Sequence, residues 1–271
     1  GGGYSGYSGS YLRNSVIIDN RSTNGNGGGI YASWNMYVSN CVIVGNTCSG
    51  EGGGVFYSSS DKTIHTIAYC QIRNNTCNSG AGGGGLSIYN TTYLCNNLIC
   101  NNTNNAPSGN GGGAVINNIT GLNTNVPPYG MVNCTIANNY STNEGGGLAT
   151  LGASNLVVNC IMANNSSSAG DYPDVYNADV TNTNNFYYSC ANVPLAPLPP
   201  SQANITNDPS FVNALAGNWR LISRSPCVNA GSNQSWMTGA VDLDGRMRIR
   251  YGTVDMGAYE KLYDGSVFRI R

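Results

Sequence analysis

Charge is scarce in this chain. Only 9% of its 271 residues are Asp, Glu, Lys or Arg, against about 25% in ordinary soluble domains, and the formal net charge is −1. A nearly neutral chain predicts no nucleic-acid partner, because nucleic acids are bound through dense positive patches. No apolar run reaches the roughly 18 residues that a membrane-spanning helix needs, so the chain is predicted not to be membrane-spanning.

Catalytic side chains are also scarce in the repetitive part of the chain. His65 is the single histidine, and we expect an ordinary strand residue there rather than a general base. The only acids before residue 165 are Asp19, Glu51, Asp61 and Glu144. Glycoside hydrolysis needs two carboxyl groups within about 10 Å, and Glu51 and Glu144, which both precede a glycine run, lie three coils apart. The sequence therefore predicts no catalytic residue and leaves a polysaccharide lyase or glycosidase as the one enzyme class to test.

Zinc and redox motifs are missing although the chain has ten cysteines. No C-x-x-C pair occurs, which argues against zinc ribbons and thioredoxin-like chemistry. An even number of cysteines is typical of oxidising, extracytoplasmic proteins, whereas small buried thiols are the alternative interpretation. We predict a disulfide between Cys190 and Cys227, which flank the proline-rich part of the C-terminal region.

Asparagine and glycine are abundant instead, with 41 and 37 residues. A seven-residue phrase of the type NCVIVGN begins at residues 14, 40, 69, 96, 133 and 159, and a glycine run follows each of the first five copies. The spacings of 26, 29, 27, 37 and 26 residues predict a solenoid, in which each repeat buries its apolar face on its neighbours. The longest spacing predicts an extra loop at residues 119–128.

Alternation within the phrase predicts which side chains face the core. Residues two apart in a strand share a face, so Cys41 and Ile43 point the same way. Outward positions such as Gln71 and Ala137 vary freely and are expected to meet solvent. Asparagine at the bends tolerates left-handed backbone and can bond to its equivalents in neighbouring coils. The predicted inward ladder is Cys41, Ile43, Cys70, Ile72, Cys134, Ile136 and Cys160.

These patterns predict an all-β fold, a parallel β-helix with three short strands per coil and about six to seven coils. Residues 1–185 form the predicted solenoid. Residues 186–260, where the repeat fails, form a predicted C-terminal cap over the last coil. Residues 261–271 form a tail that alternates as a strand does and could pair with another subunit.

The C-terminal third also carries short segments in a characteristic order. They include residues 204–212 (NITNDPSFV), 225–231 (SPCVNAG), 242–246 (DLDGR) and 254–260 (VDMGAYE). Together with the NC-x-I and GGG-I phrases, they resemble bacterial right-handed parallel β-helix proteins of the choice-of-anchor type and the coils of polymorphic outer-membrane adhesins. The resemblance implies a right-handed β-helix that is secreted and held at the cell surface. The opening glycines resemble the end of a repeat, so we expect that an earlier segment is missing.

Two groups in the C-terminal region are candidates for binding. Asp242 and Asp244 resemble part of a calcium loop, although the later ligands are missing and a tight polar turn is the favoured interpretation. Calcium is the one cofactor considered. Alternating arginines indicate either a charge-protected strand edge or a docking surface for a subunit or an acidic partner. The candidate subunit contacts are Arg246, Arg248, Arg250, Phe268 and Ile270.

The sequence favours a non-enzymatic structural or adhesive protein, extracellular or at the cell surface, that could assemble into a fibre. Its expected partners are copies of itself or glycans and proteins of the cell surface. The alternative is a glycan-binding or polysaccharide-degrading β-helix module. A groove lined by tyrosine with at least two acids within about 10 Å would favour the alternative, and bare Asn and Ser would favour a structural role.

Overall fold

The computed structural model describes residues 1–7, 9–58, 65–89, 92–117, 130–152, 155–170, 172–178, 185–191 and 202–262. Within these ranges the chain is all-β and forms a parallel β-solenoid of about six turns, as the repeat predicts. Each turn contributes one strand to each of four sheets, and equivalent strands of successive turns pair in parallel. The loop predicted at residues 119–128 lies outside the described residues.

Three sheets run the length of the solenoid, with seven described strands each. In stacking order, sheet 1 contains Tyr4–Gly6, Ile30–Ala32, Val55–Ser58, Leu86–Tyr89, Ala114–Asn117, Leu148–Leu151 and Val175–Asn177. Sheet 2 contains Ser10–Arg13, Met36–Ser39, His65–Ala68, Thr92–Cys95, Gly130–Val132, Leu156–Val158 and Asn185–Tyr187. Sheet 3 contains Val16–Ile18, Val42–Val44, Gln71–Arg73, Leu98–Cys100, Thr135–Ala137, Ile161–Ala163 and Cys190–Ala191.

A fourth sheet of very short strands was not predicted. Each of its strands has two residues and follows the bend after sheet 3. Two residues are too few to show the alternation of apolar and polar side chains by which a strand is recognised in a sequence. In the described part of the chain the strands are Arg21–Ser22, Thr47–Cys48, Thr76–Cys77, Thr103–Asn104, Tyr140–Ser141 and Ser166–Ser167. The described coils therefore have the three strands that the sequence indicates, and six of them add a short fourth strand.

The core lies inside the stack, where equivalent side chains of successive coils meet. Ile43 pairs in register with Ile72, and Ile99 with Ile136, and all four are fully buried. The cysteines of the predicted ladder are also inside, each 1% exposed or less. They act as polar residues too, because Cys134 N–H donates to Cys160 Sγ at 3.4 Å.

Buried asparagines form a continuous ladder at the bend after sheet 3. Each donates its Nδ2 group to Oδ1 of the asparagine in the next coil, at about the same 3.0 Å from Asn46 to Asn75 and from Asn75 to Asn102. From Asn46 onwards, each Nδ2 also donates to a backbone carbonyl of the preceding coil. The ladder ends at Asp174, whose Oδ1 accepts from Asn165 at 2.9 Å. The members are Asn20, Asn46, Asn75, Asn102, Asn139 and Asn165.

Glycine runs let neighbouring coils approach closely beside this ladder. A Cβ atom on Gly53 would lie 2.3 Å from the carbonyl oxygen of Gly84, and Gly52 has a φ of 69°. Only glycine satisfies both requirements, which explains why the runs recur with the period of the solenoid.

The C-terminal region, residues 202–262, lies mostly along the side of the solenoid rather than over its end. Residues 204 and 205 do extend the stack, since Ile205 bridges in parallel to Cys190. The rest packs on the outward faces of sheets 2 and 3, where Trp219 and Tyr259 contact Leu98. It contains the antiparallel strands Phe211–Asn213 and Asn218–Leu221 and the 3₁₀ turns Ala214–Ala216 and Ser235–Met237.

This lateral packing corrects the expectation that outward positions meet solvent throughout. Ala137 and Ile161 point outward yet are buried beneath the C-terminal region, whereas Val16 is 65% exposed in the first coil. The apolar character of the later outward positions is the sequence signal for this cover.

Candidate functional site: a tyrosine-lined groove

A groove opens where the cover by the C-terminal region begins. Its floor is the outward face of sheet 2 in the first four coils, and one wall is the turn at residues 241–245. The cavity has a volume of about 570 Å³. That size is typical of sites for small ligands, which span about 300–1,000 Å³.

A column of aromatic residues with one gap runs along the floor of the groove, which Tyr37, Thr66 and Tyr93 line, and continues past it to Tyr11. Tyr11, Tyr37, Thr66 and Tyr93 occupy equivalent outward positions in successive coils. The rings of Tyr11 and Tyr37 stack at 4.9 Å between centroids and 8° between planes. Tyr93 is only 8% exposed and meets Trp236 edge to face at 6.2 Å. The column therefore offers aromatic faces whose positions are fixed, because Tyr11 stacks on Tyr37 at one end and Trp236 packs on Tyr93 at the other.

Small and polar side chains form a second column beside the tyrosines. Arg13, Ser39 and Ala68 occupy the next outward position of the same strands and line the groove. The guanidinium of Arg13 lies over the Tyr11 ring, 5.0 Å from its centroid. No ion pair joins Arg13 to a carboxylate among the described residues. The groove thus combines apolar faces with hydroxyl groups and one exposed cation.

Tyr69 projects from the bend at the edge of the groove. The bend holds asparagine in the equivalent positions of the adjacent coils, Asn40 and Asn96, and all three residues have a φ of 54–56°. A bulky residue with positive φ is unusual, and the left-handed conformation costs roughly 1–2 kcal/mol for a residue with a Cβ atom. Burial raises the pKa of its phenol, and the neighbouring Asn96 side chain lowers it, so the ring lies partly buried beside the bend of the next coil. Strain of this kind is typical of functional positions.

The bend asparagines in later coils explain why the groove stops. Asn96 Nδ2 donates to the carbonyl of Val241 at 3.2 Å, and Asn133 Nδ2 donates to that of Asp255 at 3.2 Å. These bonds fix the C-terminal region to the solenoid. Asn40 and Tyr69, at the same bend of earlier coils, line the open groove instead.

One acidic residue lines the groove, and its oxygens are already engaged. Asp242 is 1% exposed, and its Oδ1 accepts from the backbone N–H of Asp244 at 2.9 Å and of Arg246 at 2.7 Å. Its Oδ2 accepts from the N–H of Glu260 at 2.7 Å. Hydrolysis by a carboxyl pair needs two such groups, and the described lining provides only this one. The described part of the lining therefore has the size to hold a ligand, and Asp242 is the carboxyl group that it contains.

The calcium candidates occupy a hydrogen-bonded turn. Asp244 forms ion pairs with Arg220 and with Arg246, the latter at 3.2 Å. A cation would have to displace these arginines from Asp244 and the N–H donors from Asp242. In the described part of the chain, no three His, Cys, Asp or Glu side chains gather as metal ligands.

Arg246, Arg248 and Arg250 do not form a common strand edge or docking surface, and this prediction needs correction. Arg248 is fully buried and donates to Glu260 Oε1 at 2.8 Å, to Gly257 O at 3.0 Å and to Asn96 Oδ1. It therefore joins the C-terminal region to the solenoid and is not accessible to a subunit. Arg250 is exposed, and Arg246 is partly exposed. Phe268 and Ile270 lie outside the described residues.

The predicted disulfide is not formed. All ten cysteines are buried and unbridged, and the Cys190 thiol donates to the carbonyl of Asn207 at 3.2 Å. Both belong to an apolar cluster between the last coils and the C-terminal region. This arrangement agrees with the alternative interpretation of the cysteine pattern, in which the cysteines are small buried thiols.

His65 is a buried residue of sheet 2. It is 2% exposed, its Nδ1 accepts from the N–H of Met36 at 3.0 Å, and its Nε2 bonds to the Tyr57 hydroxyl. Glu51, on another face, accepts from Tyr89 OH at 2.7 Å and from Ser87 Oγ at 3.1 Å. Neither residue belongs to the groove.

The groove residues could in part have been found from the sequence. Tyr37 stands between inward Met36 and Val38, which marks it as outward, and Tyr69 replaces asparagine at the start of the phrase. No local signal places Trp236 or residues 241–245 beside them.

Among the described residues, no helix has the length and apolar character needed to cross a bilayer.

A scan of the chain against models of known protein families gives no match, and a search of curated proteins also gives none. The geometry of the groove is therefore the observation from which a function can be argued.

Proposed function

We propose that this protein is a non-catalytic adhesive and structural solenoid of the cell exterior that binds glycan chains in the tyrosine-lined groove. The observation that carries the proposal is the column of tyrosines beside hydroxyl groups in a cavity of about 570 Å³. Aromatic faces attract the weakly positive C–H faces of sugar rings, and the neighbouring polar groups can bond to sugar hydroxyls.

Two further features support this proposal. The state of the groove carboxylate supports binding rather than degradation, and the sequence resemblance supports a location outside the cell. The single carboxylate of the described lining is held by three backbone N–H groups, so a second acid and a free base are both missing there. The resemblance to choice-of-anchor β-helix proteins and polymorphic outer-membrane adhesins favours a secreted, surface-held protein.

The test is glycan binding by the purified protein and a groove variant. Tyr37→Ala removes the central exposed ring, and Tyr7→Ala, at a residue that is 67% exposed and outside the lining, is the matched control. An aromatic contact is worth about 0.5–1.5 kcal/mol beyond its area, so we expect Tyr37→Ala to weaken binding about tenfold. Failure of the wild-type protein to bind any glycan on a broad array would refute the proposal.

Self-association is a second candidate function, and it is favoured by exposed apolar side chains on the outward face of sheet 3. Val16 and Ile18 are 65% and 54% exposed and continue in register into Val42 and Val44. The C-terminal region covers the same face in later coils, so a second copy of the chain is proposed to cover it here.

Sedimentation velocity across a hundredfold concentration range tests this candidate. Association that Val16→Lys abolishes and Val212→Lys leaves intact would support it, since Val212 is also exposed but lies in the C-terminal region. A wild-type protein that stays monomeric would contradict it. Truncation after Glu260 tests whether the tail contributes.

A further inference from the structure

The tyrosine column of the groove lacks one ring. Thr66 pairs in register with Tyr37 on one side and with Tyr93 on the other. Adjacent coils of a parallel stack lie about 4.8 Å apart, so the two tyrosine positions are separated by about 9.6 Å. Tyr11 and Tyr37, in adjacent coils, fill one such step with stacked rings 4.9 Å apart. The short Thr66 side chain leaves an empty step, which is the space above Thr66 between the rings of Tyr37 and Tyr93.

The empty step has the dimensions of one flat ring. Among the described rings, Tyr37 stacks on Tyr11 alone, so its opposite face is directed towards the coil of Thr66. Tyr93 is held by Trp236 and closes the far end of the step. A ligand ring inserted above Thr66 would contact aromatic groups on both sides, as a stacked side chain does.

The accessible charge near this step is positive. Arg13 is exposed at the mouth of the groove, two coils before Ala68 in the neighbouring column. Asp242, the acid of the lining, is buried and bonded to three backbone N–H groups, which neutralise much of its attraction for cations. A guanidinium binds a carboxylate through two parallel hydrogen bonds, so an acidic ligand matches this groove better than a neutral one.

We infer that the step between Tyr37 and Tyr93 takes one sugar ring of an acidic glycan, and that Arg13, two coils away, binds the carboxylate of a neighbouring sugar of the same chain. The inference rests on the proposed glycan-binding function and adds the ligand class and the position of one ring. A nucleobase also has a flat face, but its phosphates require several cations, and the described lining provides Arg13 alone.

Filling the step is the sharpest test. Thr66→Tyr supplies the missing ring from the protein itself, in a residue type that suits a strand. Thr66→Ser keeps the step open and is the matched control. With oligomers of a uronic acid as the probe in isothermal titration, we expect Thr66→Tyr to weaken binding more than tenfold and Thr66→Ser to stay within twofold of wild type.

The charge is tested separately. Arg13→Gln should weaken binding of the uronic-acid oligomer about tenfold and leave a neutral oligomer of equal length unchanged, as expected for one charge-assisted pair. Arg21→Gln, which removes an exposed cation of the same coil outside the groove, should change neither. Circular dichroism and the melting temperature show whether each variant is folded. If Thr66→Tyr does not fold, Tyr37→Leu removes one face of the step and is expected to give the same loss.

The outcomes separate this inference from the proposed function. Wild-type binding that Thr66→Tyr does not reduce would overturn the ring position, and equal affinity for acidic and neutral oligomers would overturn the acidic class, while glycan binding itself would stand. Tighter binding of mononucleotides than of uronic-acid oligomers would overturn the ligand class. Absence of binding to any glycan would refute the proposed function as well.

Discussion

Arg248 Nη1 donates a hydrogen bond to Glu260 Oε1 at 2.8 Å, and the two side chains are 0% and 4% exposed. The same guanidinium bonds to Asn96, which lies 152 residues earlier in the chain. Removal of the guanidinium leaves Glu260, Asn96 and the carbonyl of Gly257 without this buried partner, and breaking a buried pair typically costs about 3–5 kcal/mol.

We therefore expect Arg248→Met to lower the free energy of unfolding by about 3–5 kcal/mol. The exposed neighbour provides the control, because Arg250→Met should change stability by less than about 0.5 kcal/mol. Urea unfolding followed by circular dichroism gives both values. Equal effects of the two variants would mean that Arg248 does not hold the C-terminal region to the solenoid.

The same cluster predicts a dependence of stability on pH. Burial raises the pKa of Glu260 to about 8 from its usual 4.5; Arg248 lowers it, and the Asp255 carboxylate raises it further. Between about pH 4.5 and pH 8 the folded protein keeps a proton that the unfolded chain releases, so this contribution to stability falls as pH rises.

Glu260→Gln should remove that part of the pH dependence, because the amide does not titrate. Unfolding free energies of wild type and variant at pH 5 and pH 8.5 measure it. A steeper decline with pH in the variant than in the wild type would contradict the raised pKa.

The asparagine ladder predicts a large difference between two residues of one coil. Asn75 is fully buried, accepts from Asn46 and donates to Asn102 and to the carbonyl of Ile43. Asn75→Ala leaves several buried groups unsatisfied, at about 1–3 kcal/mol each, so we expect a loss of about 3 kcal/mol or more. Asn78→Ala, at an exposed position of the same coil, should cost less than about 0.5 kcal/mol. Thermal and urea unfolding compare the two.

Tyr69→Asn should separate stability from binding. Asparagine tolerates the left-handed conformation better than tyrosine, so the variant should be more stable by about 0.5–1 kcal/mol. It also removes a groove side chain and should weaken glycan binding several-fold. Melting temperature and titration calorimetry are the two measurements. A variant that binds as well as wild type would show that the strain at Tyr69 serves no ligand.

All ten thiols are unbridged and buried, and those of Cys95 and Cys100 are predicted to react most slowly. Burial raises the pKa of Cys95 to about 12 and that of Cys100 to about 11, and the thiolate is the reactive form. Alkylation without reductant should label few thiols in the native protein and all ten after denaturation. A deficit of two labels in the denatured protein would instead indicate a disulfide.

The repeat itself determined the solenoid, because its signals are local and periodic. Alternation placed Ile43 and Ile72 inside, and the asparagines fixed the bends, since each coil repeats the same short-range constraints. The two-residue strands of sheet 4 were missed because so short a segment carries no pattern. The sequence could not decide the state of the cysteines, because a buried thiol and one half of a disulfide are the same residue type and follow the same repeat.

Only the tertiary structure decided where the C-terminal region lies. Its contacts join residues more than 100 positions apart, such as Arg248 with Asn96 and Ala258 with Thr135, and no local pattern encodes such pairings. They bury Arg248, which looked like a surface cation in the sequence, and they leave one face of sheet 2 open beside residues 241–245. The sequence thus determined the coil through its periodicity, while the groove arose from long-range packing of a segment without a repeat.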